Sequence, residues 1–288
     1  MSTSARGPVR DRIPPDTMTK DLVSIAGYDP SGGAGVLLDL AVFERLGYRG
    51  FGVLTAVTAQ TAARVARAHA VAPAAVAGQF EGLAGTRPIA GIKVGMLATA
   101  GNLAAVAGLL ARRRDVPRVV DPVLRATSGA DLLRRRAWPL FLAAFRGRVD
   151  LLTPNLDEAG IFAGRRPEGV DGMKDAARMI GRAVRAACLV KGGHLEGRAV
   201  DVLWDGRTAA VFEHPRLGTA DVHGTGCFLS SAIVAYLAGG RGLEEACVRA
   251  IALTAEAIRD SLPAEGGRRV FAISRDRRRE RPLPLSRR

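Results

Sequence analysis

The segment "HGTGC" at residues 223–227 combines residue types that can bind an anion with one that can accept a proton. Gly224 and Gly226 flank Thr225, and Cys227 comes directly before an apolar run with helical spacing. Glycines let the backbone approach a ligand closely, and N–H groups at a helix N-terminus attract a phosphate or an oxyanion. The same groups lower the pKa of a thiol and favour the thiolate at Cys227. Taken alone, the segment also fits a tight turn followed by a buried cysteine.

Further polar or glycine-rich segments follow most of the predicted strands. They are "AGYDPSGGAG" (26–35), "TAQ" (58–60), "VGM" (94–96), "DPVLRATSG" (121–129), "TPNLDE" (153–158) and "KGGH" (191–194). Ligands of open parallel sheets bind beyond the carboxyl ends of the strands, so these segments predict one shared site. Neither a G-x-x-x-x-G-K-[ST] loop nor a G-x-G-x-x-G turn after the first strand is present, so both common nucleotide fingerprints are missing.

Short apolar runs alternate with helical patterns along the chain. We predict strands at 21–27, 51–59, 89–95, 117–121, 149–154 and 187–193, and a hairpin formed by 199–206 and 208–214. Helices are predicted at 35–47, 73–85, 226–238 and 242–261. This alternation indicates an α/β protein with a central, mostly parallel sheet and helices on both faces. We expect one domain at 21–267, after an N-terminal extension (1–20) and before an Arg-rich tail (268–288).

The composition is that of a water-soluble globular chain. Hydrophobic residues make up 48% of the 288 residues, but no apolar stretch approaches the ~20 residues needed to cross a bilayer. The first 20 residues lack the apolar core of a secretory signal. Cys188, Cys227 and Cys247 are too widely spaced for a zinc pattern or an obvious disulfide framework. We therefore expect a cytoplasmic protein with no membrane partner.

The net charge of +14 is concentrated at the ends of the chain. Residues 268–288 carry +7 and residues 1–20 carry +2, so the central part is only mildly basic. The sequence "RDRRRERPLPLSRR" is typical of a solvated extension, with weak contact to a polyanion as the alternative. No aromatic residues are interleaved with the basic ones, so specific nucleic-acid binding is not expected.

Six segments in a fixed order closely resemble the hydroxymethylpyrimidine/phosphomethylpyrimidine kinases of thiamine synthesis, in the ribokinase-like superfamily. They are "IAGYDPSGGAGVLLDLAVFERLGYRGFGVLTAVTAQ", "IKVGMLAT", "VVDPVLRATSGADLL", "LLTPNLDEA", "LVKGGH" and "HGTGCFLSSAIVAYLA". The resemblance covers about residues 21–262 and implies a three-layer α/β/α fold. It also implies ATP and Mg²⁺ as cofactors, a homodimer, and 4-amino-5-hydroxymethyl-2-methylpyrimidine or its monophosphate as the acceptor.

The resemblance assigns the phosphoryl-transfer chemistry to two segments. The N–H groups of Gly224, Thr225, Gly226 and Cys227 would hold the oxyanion that develops during transfer. Cys227 would take the hydroxymethyl proton or position that group, and Lys191 would reach the transferring phosphate as a point charge.

The "TPNLDE" segment resembles the Asn-x-x-Glu pattern with which the superfamily holds Mg²⁺, largely through water. Asn155 and Glu158 would provide this pair, and Asp121 would add charge from the end of a neighbouring strand. The alternative for Asn155 and Glu158 is a helix-capping box, and the two roles can coexist.

The acceptor pocket implied by the resemblance consists of Gly27, Asp39, Gln60, Met96 and Val123. Gln60 can donate and accept in one plane, which matches an aminopyrimidine edge. Asp39 could accept from the amine or hold the hydroxyl group. Met96 would pack on the flat ring, although ordinary core filling also explains a methionine there.

Four positions around this pocket depart from the family pattern: Tyr28, Thr61, Arg125 and Thr127. They leave two alternatives open, a pyridoxal/pyridoxine-type kinase of the same fold and a non-catalytic pyrimidine sensor. The retention of Lys191 and Cys227 favours catalysis over a sensor.

Overall fold

The computed structural model describes residues 21–126, 128–193, 199–214 and 222–272, together with the backbone of 286–287. The strands are β1 (Asp21–Tyr28), β2 (Arg49–Gln60), β3 (Val65–Ala70), β4 (Ile89–Val94), β5 (Arg118–Val120), β6 (Leu151–Leu152), β7 (Ala187–Lys191), β8 (Ala199–Trp204), β9 (Ala209–His214), β10 (Leu262–Pro263), β11 (Arg269–Val270) and β12 (Ser286–Arg287). The α-helices are α1 (Gly35–Arg45), α2 (Pro73–Ala84), α3 (Ala100–Ala111), α4 (Phe141–Phe145), α5 (Leu156–Ala163), α6 (Gly169–Val184), α7 (Thr225–Ala238) and α8 (Leu243–Arg259). Within these ranges, no helix combines the length and apolarity that a membrane span requires.

Ten strands form one sheet in the order β12-β9-β8-β7-β6-β5-β4-β1-β2-β3. The pairs from β7 through β6, β5, β4 and β1 to β2 are all parallel. Antiparallel pairs extend the sheet at both edges, β2 with β3 and β7 with β8 with β9. The predicted mostly parallel α/β class is confirmed, as is the hairpin of β8 and β9.

Helices cover both faces of the sheet. Adjacent residues of a strand point to opposite faces, so the apolar strands present side chains that must be buried on each face. Val119 and Leu151 pack in a core with α1, α7 and α8, whereas Val120 and Leu152 pack in a second core with α2 to α6. The short central strands are mostly apolar because both faces are buried, as expected for parallel strands.

Strand β3 was not predicted from the sequence. Its segment "VARAHA" is almost fully exposed and rich in Ala, so it lacks the apolar alternation of a half-buried strand. It forms by pairing its backbone with the edge of β2, and this pairing places Val65 opposite Gln60. The edge strand thus supports one of the predicted acceptor residues.

Packing continues past the predicted domain end at residue 267. The ring of Phe271 lies 4.6 Å from that of Phe228 on α7, and its side chain is buried. The N–H group of His223 donates to the carbonyl of Arg269 over 2.9 Å. Residues 269–271 therefore help to hold the segment that precedes α7. The predicted extension at 1–20 and most of the Arg-rich tail lie outside the described residues.

Candidate active site

A cavity of about 620 Å³ opens at the carboxyl ends of β1, β2, β4, β5 and β7 and at the start of α7. All the predicted site residues except Asp39 line it: Gly27, Gln60, Met96, Asp121, Val123, Asn155, Glu158, Lys191, Gly224, Thr225, Gly226 and Cys227. The cavity is large enough for a small-molecule substrate and part of a nucleotide. The structure thus brings the separate sequence segments to one place.

Gly224 forms the turn that aims the start of α7 into the cavity. It caps the helix with a φ of +86°, and the N–H group of Phe228 makes the first helical hydrogen bond to its carbonyl. Three preceding N–H groups have no acceptor within the helix, those of Thr225, Gly226 and Cys227. They form the positive end of the helix dipole. This arrangement can hold a phosphoryl oxygen.

A side chain at Gly224 is sterically excluded, and this yields a stability prediction. A Cβ atom there would lie 2.0 Å from the carbonyl oxygen of Gly33, whereas one at Gly240 meets nothing within 4 Å although its φ is +83°. Gly240→Ala is therefore expected to cost about 1–2 kcal/mol of left-handed strain, and Gly224→Ala about 1–3 kcal/mol more from overpacking. Urea unfolding of both variants measures the difference. Equal losses of stability in the two variants would mean that the backbone at Gly33 moves to accommodate the new side chain without a measurable cost.

The thiol of Cys227 lies between two helix starts. Besides its own place in α7, it accepts a hydrogen bond from the backbone N–H of Gly35, the first residue of α1. Burial raises the pKa of the thiol, Lys93 and this N–H group lower it, and Asp39 and Asp121 raise it further, so that the net shift is upward. The predicted thiolate is therefore wrong for the free protein, because burial and two carboxylates outweigh the helix N-terminus.

Lys191 and Asp121 form an ion pair directly over the start of α7. The Lys191 Nζ lies 2.7 Å from an Asp121 carboxylate oxygen. A Cβ atom at Gly226 would come within 3.0 Å of that Nζ and 3.1 Å of the other Asp121 oxygen, so a glycine permits the close approach. Burial lowers the pKa of Lys191, but Asp121 and Glu158 outweigh it and raise the pKa overall. Lys191 is thus a fixed cation beside residues 224–227, which we call the anion loop.

Asn155 and Glu158 form the capping box that the sequence left as an alternative. The Asn155 side-chain oxygen accepts from the Glu158 N–H, and the Glu158 carboxylate accepts from the Asn155 N–H, both over 2.9 Å. The other Glu158 oxygen accepts from the N–H of Leu124 at 3.1 Å. Burial raises the pKa of Glu158 to about 7, with Lys191 lowering it and Asp121 raising it. Glu158 lines the cavity, and the positive charge of Lys191 does not offset the effect of burial on its pKa.

Asp39, which the resemblance placed in the substrate pocket, does not line the cavity and lies in the core beneath it. Its carboxylate accepts two hydrogen bonds of 2.8 Å from Lys93 and others from the hydroxyls of Ser24 and Ser231. Lys93 and Asp39 are both fully buried. This is the environment in which a buried charge is tolerated, since each ion is paired and further hydrogen-bonded.

Sequence reasoning missed Lys93, although a lysine inside the apolar strand "IAGIKVG" was a visible signal. Burial lowers the pKa of Lys93, but Asp39 and Cys227 raise it more, so the ammonium group stays charged. Lys93 therefore acts on the Cys227 thiol through its field without entering the cavity. The network also connects α1, β4 and α7, three of the elements that shape the site.

One end of the cavity has an apolar wall suited to a flat ring. Met96 and Val123 pack with Leu132 and two alanines into a small separate cluster. A Cβ atom at Gly27 would come within 2.8 Å of the Met96 sulfur, so a glycine is required for this packing. Val123 has a φ of +41°, which is unusual for a β-branched residue and typical of a functional site.

A hydrogen-bonded cluster around Asp29 connects this end to the anion loop. The buried Asp29 carboxylate accepts from the Ser31 hydroxyl at 2.7 Å and lies 2.9 Å from Nε2 of His223. Burial raises the pKa of Asp29, but hydrogen bonds from His223, Gln60 and Ser31 outweigh it and lower the pKa overall. Gln60 therefore lies close to the Asp29 carboxylate. The sequence indicated the loop but not this pairing.

The opposite end of the cavity is formed by α8 and the start of α7. Ile251, Thr254, Ala255 and Ile258 occupy one helical stripe and line the cavity together with Leu229. None of these residues was predicted to be functional. Their spacing predicts a buried helix face, and only the fold shows that the face borders a ligand cavity.

Comparison with known proteins decides the family. A sequence profile of the family described as phosphomethylpyrimidine kinase matches residues 29–271. The chain belongs to the phosphomethylpyrimidine kinase family. This membership confirms the resemblance drawn from the sequence segments, and it makes the cavity the candidate active site of a phosphomethylpyrimidine kinase family member.

Curated relatives carry the same description. The chain is 41% identical over 231 residues to the hydroxymethylpyrimidine/phosphomethylpyrimidine kinase of Rhizobium meliloti, covering 80% of this chain and 86% of the relative. The corresponding protein of Aquifex aeolicus is 35% identical over 240 residues, covering 83% and 94%. The chain is also 39% identical over 247 residues (85% of its length) to a bifunctional thiamine biosynthesis protein of Geobacter sulfurreducens, of which it spans only 50%.

Solved structures confirm the fold of this phosphomethylpyrimidine kinase family member. The phosphomethylpyrimidine kinase of Clostridium difficile superposes with a TM-score of 0.72 at 32% identity, covering 83% of this chain and 99% of that one. The pyridoxal kinase of Staphylococcus aureus in complex with AMP-PCP gives a TM-score of 0.83 at 26% identity, covering 93% and 98%.

Proposed function

We propose that the protein is a kinase that transfers the γ-phosphoryl group of ATP to the hydroxymethyl group of 4-amino-5-hydroxymethyl-2-methylpyrimidine, and then phosphorylates the resulting monophosphate. The observation that carries this proposal is that groups suited to both reaction partners line one cavity. Gln60, Met96 and Val123 line it together with the α8 stripe. Lys191 and the anion loop lie at the same strand ends, beside Cys227.

The acceptor end suits an aminopyrimidine by shape and by polarity. The apolar wall of Met96 and Val123 packs on a flat heterocycle, and Gln60 supplies an amide that can donate and accept along one ring edge. Gln60 lies close to Asp29, whose carboxylate can accept a hydrogen bond from the amide. A hydroxymethyl group on the ring would extend toward Cys227.

The transfer itself requires positioning and charge neutralisation more than covalent chemistry. The N–H groups at the start of α7 and the Lys191 ammonium group stabilise the negative charge that develops on the moving phosphoryl group. The raised pKa of Cys227 makes its thiolate a stronger base once formed. In a loose transition state the hydroxyl proton can leave late, so a resting thiol is compatible with this role.

Mg²⁺ fits the donors at this site. Asp121 and Glu158 offer hard oxygen ligands. Burial raises the pKa of Glu158 to about 7, and a nearby cation would offset that effect. Across the described residues, no group of three or more acidic, His or Cys side chains forms a metal cluster. Water and the ATP phosphates would therefore supply most of the ligands, as Mg²⁺ prefers. The ion would neutralise phosphate charge.

A pyridoxal-type kinase is the second candidate, favoured by the S. aureus pyridoxal kinase structure, whose TM-score is 0.83. Pyridoxal also has a flat ring with a hydroxymethyl group, which the apolar wall would accept. The Gln60 amide favours the aminopyrimidine, because pyridoxal lacks an exocyclic amine. The predicted homodimer and cytoplasmic location stay predictions.

Turnover of purified protein against four acceptors tests the proposal. With ATP and Mg²⁺ in a coupled assay, we expect kcat/KM for the hydroxymethylpyrimidine and its monophosphate to exceed the values for pyridoxal and pyridoxine. Higher kcat/KM for pyridoxal would replace the main proposal by the second candidate. Absence of turnover with all four acceptors would contradict both.

A further inference from the structure

Two side chains with a permanent positive charge line the described part of the cavity, Lys191 and Arg125. Lys191 is committed to Asp121 at 2.7 Å and lies beside the anion loop. Arg125 is at the acceptor end, since it follows β5 two residues after Val123, and its neighbour Ala126 lines the cavity as well. The acceptor end therefore has a cation that the proposed first phosphorylation does not use.

Arg125 makes one long ion pair, with Asp131, and Asp131 has a second partner. Its Nε lies 3.3 Å from Asp131, and its side chain is 43% exposed. Asp131 makes a shorter contact of 2.8 Å with Arg135, so it keeps a partner if Arg125 turns away. The guanidinium of Arg125 also lies 5.3 Å from the Trp138 ring centre, on the rim of the site. Arg125 can thus move toward a ligand at little cost.

In the second phosphorylation the acceptor carries a phosphate monoester on its hydroxymethyl oxygen, between the ring and the anion loop. That dianion would approach the Asp29 carboxylate, which is charged at neutral pH because its pKa is lowered. A compensating cation is needed there, and a guanidinium matches a phosphate with two parallel hydrogen bonds. We propose that Arg125 binds the phosphate of the monophosphorylated acceptor and thereby sets the specificity for the second transfer. The inference rests on the proposed function.

Arg135 provides a matched control, because it shares both contacts of Arg125. It pairs with Asp131 and lies 5.6 Å from the Trp138 ring centre, yet it does not line the cavity. We would measure kcat/KM of Arg125→Met and Arg135→Met with the alcohol and with its monophosphate. Arg125→Met is expected to lower the ratio of monophosphate to alcohol turnover by roughly 10- to 100-fold, as for loss of a hydrogen-bonded charge. Arg135→Met should leave that ratio unchanged.

Three outcomes would overturn the inference. The first is an unchanged ratio in Arg125→Met. The second is an equal loss with both acceptors together with a raised KM for ATP, which would assign Arg125 to the nucleotide phosphates instead. The third is the same change in ratio for both variants, which would indicate a structural effect through Asp131 and Trp138. Wild-type turnover of both acceptors, measured alongside, separates these results from failure of the proposed function.

Discussion

Replacing Cys227 with alanine is expected to lower kcat for the hydroxymethylpyrimidine by about 10²–10³-fold, the usual effect of removing a positioned acid–base group. The thiol lies at the foot of the cavity between the starts of α1 and α7, within the field of Lys93. Its buried neighbours Lys93 and Asp39 cannot replace it, because they are fully buried and bonded to each other. Steady-state kinetics with the alcohol as acceptor measures the loss.

Cys247→Ala is the matched control for this variant. Cys247 is buried in the core with α7 and α8 and does not line the cavity, so its loss should affect stability and leave kcat near the wild-type value. ATP affinity should persist in Cys227→Ala, since the anion loop acts through its backbone. A wild-type kcat in Cys227→Ala would mean that Cys227 is a structural residue that follows a tight turn and takes no part in the transfer.

Lys191→Met is expected to reduce kcat by about 10²–10³-fold, comparable to the loss of one donor from an oxyanion site. The change removes the cation nearest the anion loop and leaves Asp121 and Glu158 without their partner. Asp121, without its lysine partner and facing the ATP phosphates, would repel them, so KM for ATP should rise as well. Kinetics under saturating ATP separates the two effects, and thermal unfolding checks that the variant is folded.

Lys174→Met controls for the removal of a lysine as such. Lys174 is exposed on α6 and pairs with Asp171 at 3.0 Å, so its replacement should change neither kcat nor KM measurably. A Lys191→Met variant whose kcat recovers fully at saturating ATP would show that Lys191 serves nucleotide binding and not the transfer step.

The position of the site was predictable, but the orientation of individual side chains was not. Lys191, Asp121 and Asn155 could be placed together because carboxyl ends of parallel strands meet at one edge. The burial of Asp39 was not predicted, because the sequence of an amphipathic helix does not show which polar residue faces a cavity and which meets a buried partner. That partner, Lys93, is 54 positions away in the chain.

The thiol of Cys227 shows a second limit of sequence reasoning. Helix position alone predicts a lowered pKa, but the observed direction depends on burial and on Asp39 and Asp121, which come from distant segments. Strand β3 is a comparable case for the fold. Its exposed, Ala-rich sequence has no strand pattern, and it forms because the edge of β2 offers unpaired backbone groups.

The identity of the reaction product tests the central claim most directly. Purified protein would be incubated with ATP, Mg²⁺ and 4-amino-5-hydroxymethyl-2-methylpyrimidine, and the phosphorus products followed by ³¹P NMR. The account predicts a new phosphate monoester signal that is split by the adjacent methylene protons, formed together with ADP, and later a diphosphate ester at its expense. Release of inorganic phosphate with no ester signal, while the pyrimidine stays unmodified, would contradict the account.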